Sequence, residues 1–183
     1  MKLGYADPPY PGQAKKHYAD HKDYRGEVSH EDLIADLKEN YDGFVLHTSV
    51  PSLGKMLRLI PEARVGAWVK PFAAFKKNVP VSYAWEPVLV VAARKPVVHR
   101  TIRPLRDFLS ESITMGRGLA GVKPEKVVWW CLEMLGAETA DELVDIFPGT
   151  GAVQDAWEAW KTEVLRLTPR RIVLNQSRSS SCV

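Results

Sequence analysis

Asp7, Pro8, Pro9 and Tyr10 stand together directly after the short apolar segment 2–6. Proline fixes φ and lacks a backbone donor, so two in succession end a strand. The residue before a proline is pushed to extended backbone, which holds Asp7 and Pro8 out of the helical region. The four residues make a stiff, presented tip with a carboxylate, proline carbonyls that the following ring cannot satisfy, and an aromatic face. A plain turn would use Gly, Asn or Ser instead. The tip therefore reads as a site.

A second chemically suggestive stretch is DIFPGTGAV, residues 145–153. It has the pattern strand, glycine turn, helix. In α/β sheets ligands bind at the C-terminal ends of strands, and glycine lets the backbone approach them closely. A phosphate-cradling P-loop would need a lysine after Gly151, which is absent. A dinucleotide site wants G-x-G-x-x-G, and the third glycine is missing. The stretch does fit an S-adenosylmethionine (SAM) turn of the form D-x-F-x-G-x-G at Asp145, Phe147, Gly149 and Gly151. A helix-opening turn without a ligand is the plain alternative.

The elements that must position these groups follow from the pattern. Strands are predicted at 2–6, 43–49, 64–69, 86–93, 142–147 and 170–175. The run 86–93 is continuously apolar, as for a strand buried on both faces. Ser29 with Asp32 opens a helix to about Asn40. Further helices are predicted at 52–60, at 123–136 with Gly136 as its stop, and from 152 to about 167. Residues 104–112 (PLRDFLSES) read as a short helix. Residues 11–28 and 111–122 read as loops, and loops of that length usually carry function or move. Strands alternating with helices predict an α/β fold with a mostly parallel sheet and helices on both faces.

The totals agree with one globular domain over 1–176 and a frayed tail at 177–183. The chain has 183 residues, 45% hydrophobic and 26% charged, which suits one domain with a real core. A net charge of +3 permits a polyanionic partner without demanding one. Cys131 and Cys182 match neither a metal spacing nor a disulfide framework, so a reducing cytoplasm is expected, and no metal. No signal-peptide pattern and no apolar run of membrane-spanning length is visible, so no membrane is expected.

Together the two motifs resemble the SAM-dependent amino-methyltransferases that act on exocyclic amines of nucleobases. The catalytic motif precedes the cofactor turn, which is similar to the circularly permuted members. GVKPEKVVWW (121–130) resembles the K-P helix that precedes the cofactor strand in that group. YAWEPVLVV (83–91) resembles a strand of adenine-N6 enzymes, including the messenger-RNA adenine methyltransferases. VLNQ (173–176) is similar to the terminal G-N-Q of the latter, with Leu174 in place of glycine.

The resemblance implies a Rossmann-like methyltransferase fold, SAM as cofactor and adenine N6 in DNA as target, with RNA as the alternative. An exocyclic amine is a poor nucleophile because its lone pair is delocalised into the ring. Asp7 and the Pro8 carbonyl would accept its hydrogens, while Pro9 stiffens the tip and Tyr10 stacks on a flipped or single-stranded base. Asp7, Lys123, Asp145, Phe147, Gly149, Gly151, Asn175 and Gln176 would hold the cofactor. Tyr10, Lys15, Lys16, His17 and Tyr18 would touch the nucleic acid.

Other residues compete with plainer roles. Lys123 is equally a first-turn lysine. Lys15, Lys16, His17 and Tyr18 are equally solvated loop residues. Glu86 could pair with a cation near the site, and His47 and Thr48 lie at a strand end on the cofactor side. Trp157 and Trp160 read as core, and Trp129 and Trp130 cannot both face one side. The usual ribose-binding acid is replaced by Asn175-Gln176. No separate target-recognition domain is evident, which leaves room for a homodimer or a specificity partner. A non-catalytic nucleic-acid-binding subunit is the alternative from another class.

Overall fold

The computed structural model describes residues 1–10, 27–72, 79–95, 105–113 and 122–167. Its strands are β1 (Lys2–Ala6), β2 (Gly43–His47), β3 (Arg64–Val69), β4 (Trp85–Val91), β5 (Phe108–Ser110) and β6 (Glu142–Asp145). Its helices are α1 (His30–Asn40), α2 (Leu53–Leu59), α3 (Glu125–Leu135) and α4 (Ala152–Leu167). A 3-10 turn at Val50–Ser52 leads into α2. The strands form one sheet in the order β5-β3-β4-β2-β1-β6.

Period-two alternation splits the core between the faces. Leu3 and Tyr5 of β1, Val45 of β2 and Val88 and Val90 of β4 join one cluster with α3 and α4. Ala6, Phe44, Leu46 and Leu89 join the other with α1 and α2. Both faces are therefore covered, as the alternation of strands and helices predicted. Ser29 caps α1 by accepting from the Asp32 amide at 3.3 Å. Gly136, at φ 74°, ends α3 in the left-handed region.

The tryptophans divide as their spacing required. Trp130 donates to the Arg106 carbonyl at 2.9 Å, and Trp129 turns the other way to the Ala156 carbonyl at 2.8 Å. Trp157 and Trp160 are core residues, stacked with centroids 5.3 Å apart.

Two expectations need correction. Residues 108–110 form strand β5 instead of a short helix, parallel to Ala67–Val69 of β3. The open edge of β3 supplies ladder partners that outweigh a weak local helical preference. The strand expected at 86–93 is buried as predicted but runs antiparallel to both β2 and β3. An apolar run reads the same in either direction, so the sequence pattern carries no sign of this. The remaining pairings, β1–β2, β1–β6 and β3–β5, are parallel, so the sheet is mostly parallel. The strand expected at 170–175 and most of the loop at 11–28 lie outside the described residues. No described helix is long and apolar enough to cross a membrane.

Asp141 locks the end of the sheet opposite the candidate site. Its carboxylate accepts from Arg94 at 2.6 and 2.9 Å, from the N-terminal ammonium at 2.9 Å and from the Glu138 amide at 2.8 Å. Burial pushes this carboxyl up, but its donors outweigh that and hold it far below the ordinary range. A depressed carboxyl contributes stability above its unfolded value, near pH 4, and loses it as pH falls through the folded value. Asp141→Ala should therefore cost about 3 kcal/mol at neutral pH. The gap from the parent protein should narrow in urea melts below about pH 4. A pH-independent difference would refute this.

Candidate functional site

Strand direction decides what gathers at one end of the sheet. β1, β2 and β6 run parallel and release their following residues there: Asp7–Tyr10, Thr48, and the turn 146–151. β4 runs the other way and delivers Glu86, its second residue, to the same end. The residues before α3 contribute Lys123.

These groups form one connected polar network. Lys123 Nζ lies 2.8 Å from Asp7 Oδ2 and 3.2 Å from Glu86 Oε1. His47 Nδ1 is 2.8 Å from the same Glu86 oxygen, and Lys70 Nζ is 2.8 Å from Glu86 Oε2. The other His47 nitrogen, Nε2, bonds the Tyr5 hydroxyl at 2.7 Å. The Trp68 ring faces both ammonium groups, 4.4 Å from Lys70 and 5.5 Å from Lys123.

Burial makes the charges interdependent. The Lys123 side chain is only 6% exposed and that of Glu86 only 5%. Burial pulls the Lys123 ammonium down, but Asp7 and Glu86 outweigh it and leave it raised. Burial likewise pushes the Glu86 carboxyl up, and Lys123, His47 and Lys70 reverse this to well below the ordinary range. Both groups are thus held charged at neutral pH. Burial raises the Tyr5 phenol and the adjacent Cys131 thiol, keeping both protonated.

The ligand atoms of Asp7, His47 and Glu86 lie within 4.8 Å of one another, a spacing that could hold a metal ion. The Lys123 ammonium already bonds two of them, so it supplies the cation this cluster needs.

The glycine turn sits beside this network. It is tied to β1 by the Ile146 amide, which donates to the Tyr5 carbonyl at 2.9 Å. Gly149 and Gly151 have φ of 47° and 80°, a region side chains rarely adopt. A Cβ on Gly151 would meet no atom of the described residues within 4 Å, so they leave the space above it open. Asp145 Oδ1 accepts from the Phe147 amide at 3.2 Å. Its Oδ2 is buried with no partner among the described residues. Burial raises the Asp145 carboxyl, and the charge of Asp7 adds to this. Asp145 thus presents an unmet demand for a cation or donor among the described residues, and the Thr48 hydroxyl is likewise buried without a described partner.

Of the residues expected from sequence, the structure gathers Asp7, Lys123 and Glu86 with His47, and places the Asp145–Gly151 turn on the adjoining strand. Pro8 is buried, and Pro9 and Tyr10 are half-buried. Lys15, Lys16, His17, Tyr18, Asn175 and Gln176 lie outside the described residues. Sequence reasoning missed Tyr5, Trp68 and Lys70. Tyr5 sits in an unbroken apolar stretch, and Lys70 is one lysine among many; only the antiparallel pairing of β4 places Glu86 beside Lys70.

The architecture is a Rossmann-like methyltransferase fold. No protein-family model matches the chain, and no curated protein matches it. Solved structures of M1.HpyAVI do. Its SAM complex is 15% identical and superposes with a TM-score of 0.58, covering 91% of this chain and 85% of that one. Another M1.HpyAVI structure is 14% identical, with a TM-score of 0.54 over 87% and 76% of the two chains.

Proposed function

We propose that the chain transfers a methyl group from SAM to the exocyclic N6 amine of adenine in DNA. The observation that carries this reading is the carboxylate of Asp7. Lys123 fixes it through Oδ2, one strand away from a glycine turn whose own acid has a buried oxygen without a partner among the described residues. The fold shared with M1.HpyAVI, which has been solved with SAM, supports the choice of cofactor.

The site fits that cofactor. SAM carries an ammonium and a sulfonium, and Asp145 Oδ2 has no partner among the described residues to meet such a charge. The open space above Gly151 lets a ligand approach the backbone. Asp7, Lys123, Asp145, Phe147, Gly149 and Gly151 would hold the group, joined by Asn175 and Gln176 at its ribose. When bound, SAM supplies an electrophilic methyl group.

The chain's own residues do the rest. Asp7 Oδ1 and the Pro8 carbonyl accept the two amine hydrogens and draw them from the ring plane, which localises the nitrogen lone pair. The nitrogen must shed one proton as it gains the methyl group, and Asp7 Oδ1 is the neighbouring acceptor. Tyr10 stacks on a base taken out of its duplex, worth roughly 1–3 kcal/mol. Lys15, Lys16, His17 and Tyr18 follow the tip in sequence and would contact the nucleic acid. Holding nitrogen and methyl group in line accounts for the remaining acceleration.

Tritiated methyl transfer from SAM to unmethylated genomic DNA and to total RNA, followed by nucleoside digestion and mass detection, tests this. N6-methyldeoxyadenosine is expected. N6-methyladenosine from RNA alone would overturn the DNA assignment and keep the mechanism. No transfer, with no SAM binding by calorimetry, would overturn the enzyme reading and favour a non-catalytic subunit or a missing partner.

A further inference from the structure

His47, Glu86 and Tyr5 form a buried chain that ends on Lys123, and none of them is a plausible contact for a nucleobase. His47 is fully buried and Glu86 is 5% exposed. We propose that His47 and Glu86, oriented by Tyr5, are positioning residues for Asp7 that act through Lys123. This rests on the assignment of Asp7 as the amine acceptor.

The argument is one of donors and acceptors. Glu86 is an acceptor only, and three donors converge on it: His47 Nδ1 and Lys123 on Oε1, and Lys70 on Oε2. With Nδ1–H given to Glu86, His47 Nε2 accepts from the Tyr5 hydroxyl. The bonds then run in one direction, from Tyr5 through His47 to Glu86, and such chains strengthen one another. Glu86 fixed in this way pins Lys123 at 3.2 Å, and Lys123 in turn takes Oδ2 of Asp7 at 2.8 Å. Among the described contacts, Oδ1 of Asp7 is left for the amine. If Glu86 were free to turn, Lys123 could swing onto both oxygens of Asp7 and occupy the acceptor.

The chain is not a route for the released proton. Passing it along would require a neutral Lys123 beside a protonated Glu86. The surroundings hold both groups in the opposite states. Beyond His47 the path ends at the buried Tyr5. Fixing geometry is what remains for these residues to do.

His47→Gln keeps a polar side chain but cannot bridge Tyr5 and Glu86 as the imidazole does. It should lower kcat for methyl transfer about tenfold to a hundredfold, the scale of a displaced catalytic group. KM for the nucleic acid should stay within about twofold, because no binding contact is lost. Tyr5→Phe should lower kcat less, and should add little to His47→Gln in the double variant, since both act along one chain. Independent, multiplicative losses, or a loss confined to KM, would overturn the proposal.

A second readout needs no activity. The imidazole nitrogen resonances of His47, followed by NMR in the full chain, should move on Asp7→Asn. They should not respond to Asp7→Asn in the Lys123→Met background. Resonances that ignore Asp7 would overturn the proposal even in an active enzyme. Resonances that respond, in a protein that methylates neither DNA nor RNA, would uphold the coupling and overturn the methyltransferase reading.

Discussion

Asp7→Ala should lower methyl transfer about 10³-fold, within the range for removing a group that handles a proton in the transition state. The change removes the acceptor that localises the amine lone pair, and nothing nearby replaces it. Glu86 is held by three donors, and Asp145 lies on the other side of β1 from that network. Nucleic-acid affinity should change little, since the stacking ring of Tyr10 remains. Stability should fall only moderately. Lys123 loses its 2.8 Å partner but keeps Glu86, and a hydrogen bond to a charged group is worth about 1.5–3 kcal/mol. Steady-state transfer, read with nucleic-acid binding by fluorescence anisotropy, checks both halves. Transfer persisting within tenfold would refute the role given to Asp7. Binding lost along with transfer would point to a contact residue instead.

Gly151→Val should separate ligand binding from folding. No atom of the described residues lies within 4 Å of where the new Cβ would stand, so the Cβ itself meets no clash with them. The φ of 80° is the only internal cost, and a strained backbone conformation costs of order 1–3 kcal/mol. The branched side chain would instead fill the space over the turn. SAM affinity by calorimetry should therefore drop about a hundredfold, or roughly 2.7 kcal/mol. The melting temperature should fall only by the cost of the strain. Undiminished SAM affinity would show that the open space serves some other end. Gly149→Ala is a weaker version, since its Cβ would meet the Phe147 carbonyl oxygen at 3.7 Å.

Much of this was legible in the chain. The proline pair marks the end of β1, and the capping serine opens α1. The left-handed glycine closes α3, because each acts through local backbone chemistry. The Asp145–Gly151 turn was visible for the same reason. What the sequence hid is what depends on distant pairing. Whether β4 runs with or against its neighbours leaves no trace in EPVLVV, yet it decides that Glu86 and not Val91 reaches the site. The same holds for β5, which exists because β3 offers an open edge at Ala67–Val69. Tyr5 looked like one more core residue, because its hydroxyl acquires meaning only once β2 places His47 beside it. Glu86 was legible as a partner for a cation near the site and His47 as a strand-end residue on the cofactor side, but their joint link to Lys123 spans three separate stretches of chain.

The reversed strand has a consequence for how this protein could change. β3 and β4 are joined as a hairpin whose base is fixed by Val69 opposite Trp85 and by the Lys70 amide donating to the Ala84 carbonyl at 2.7 Å. Lys70 and Glu86 sit at that base, with the connection 71–84 between them in sequence. Its length can be altered without shifting either charge, and doubling a flexible connection costs only about 0.6 kcal/mol. That connection can therefore be lengthened, shortened or exchanged as a cassette while Lys70 and Glu86 stay in register. Among otherwise similar chains, differences in length should accumulate between positions 71 and 83, with the spacing inside β3 and β4 held constant.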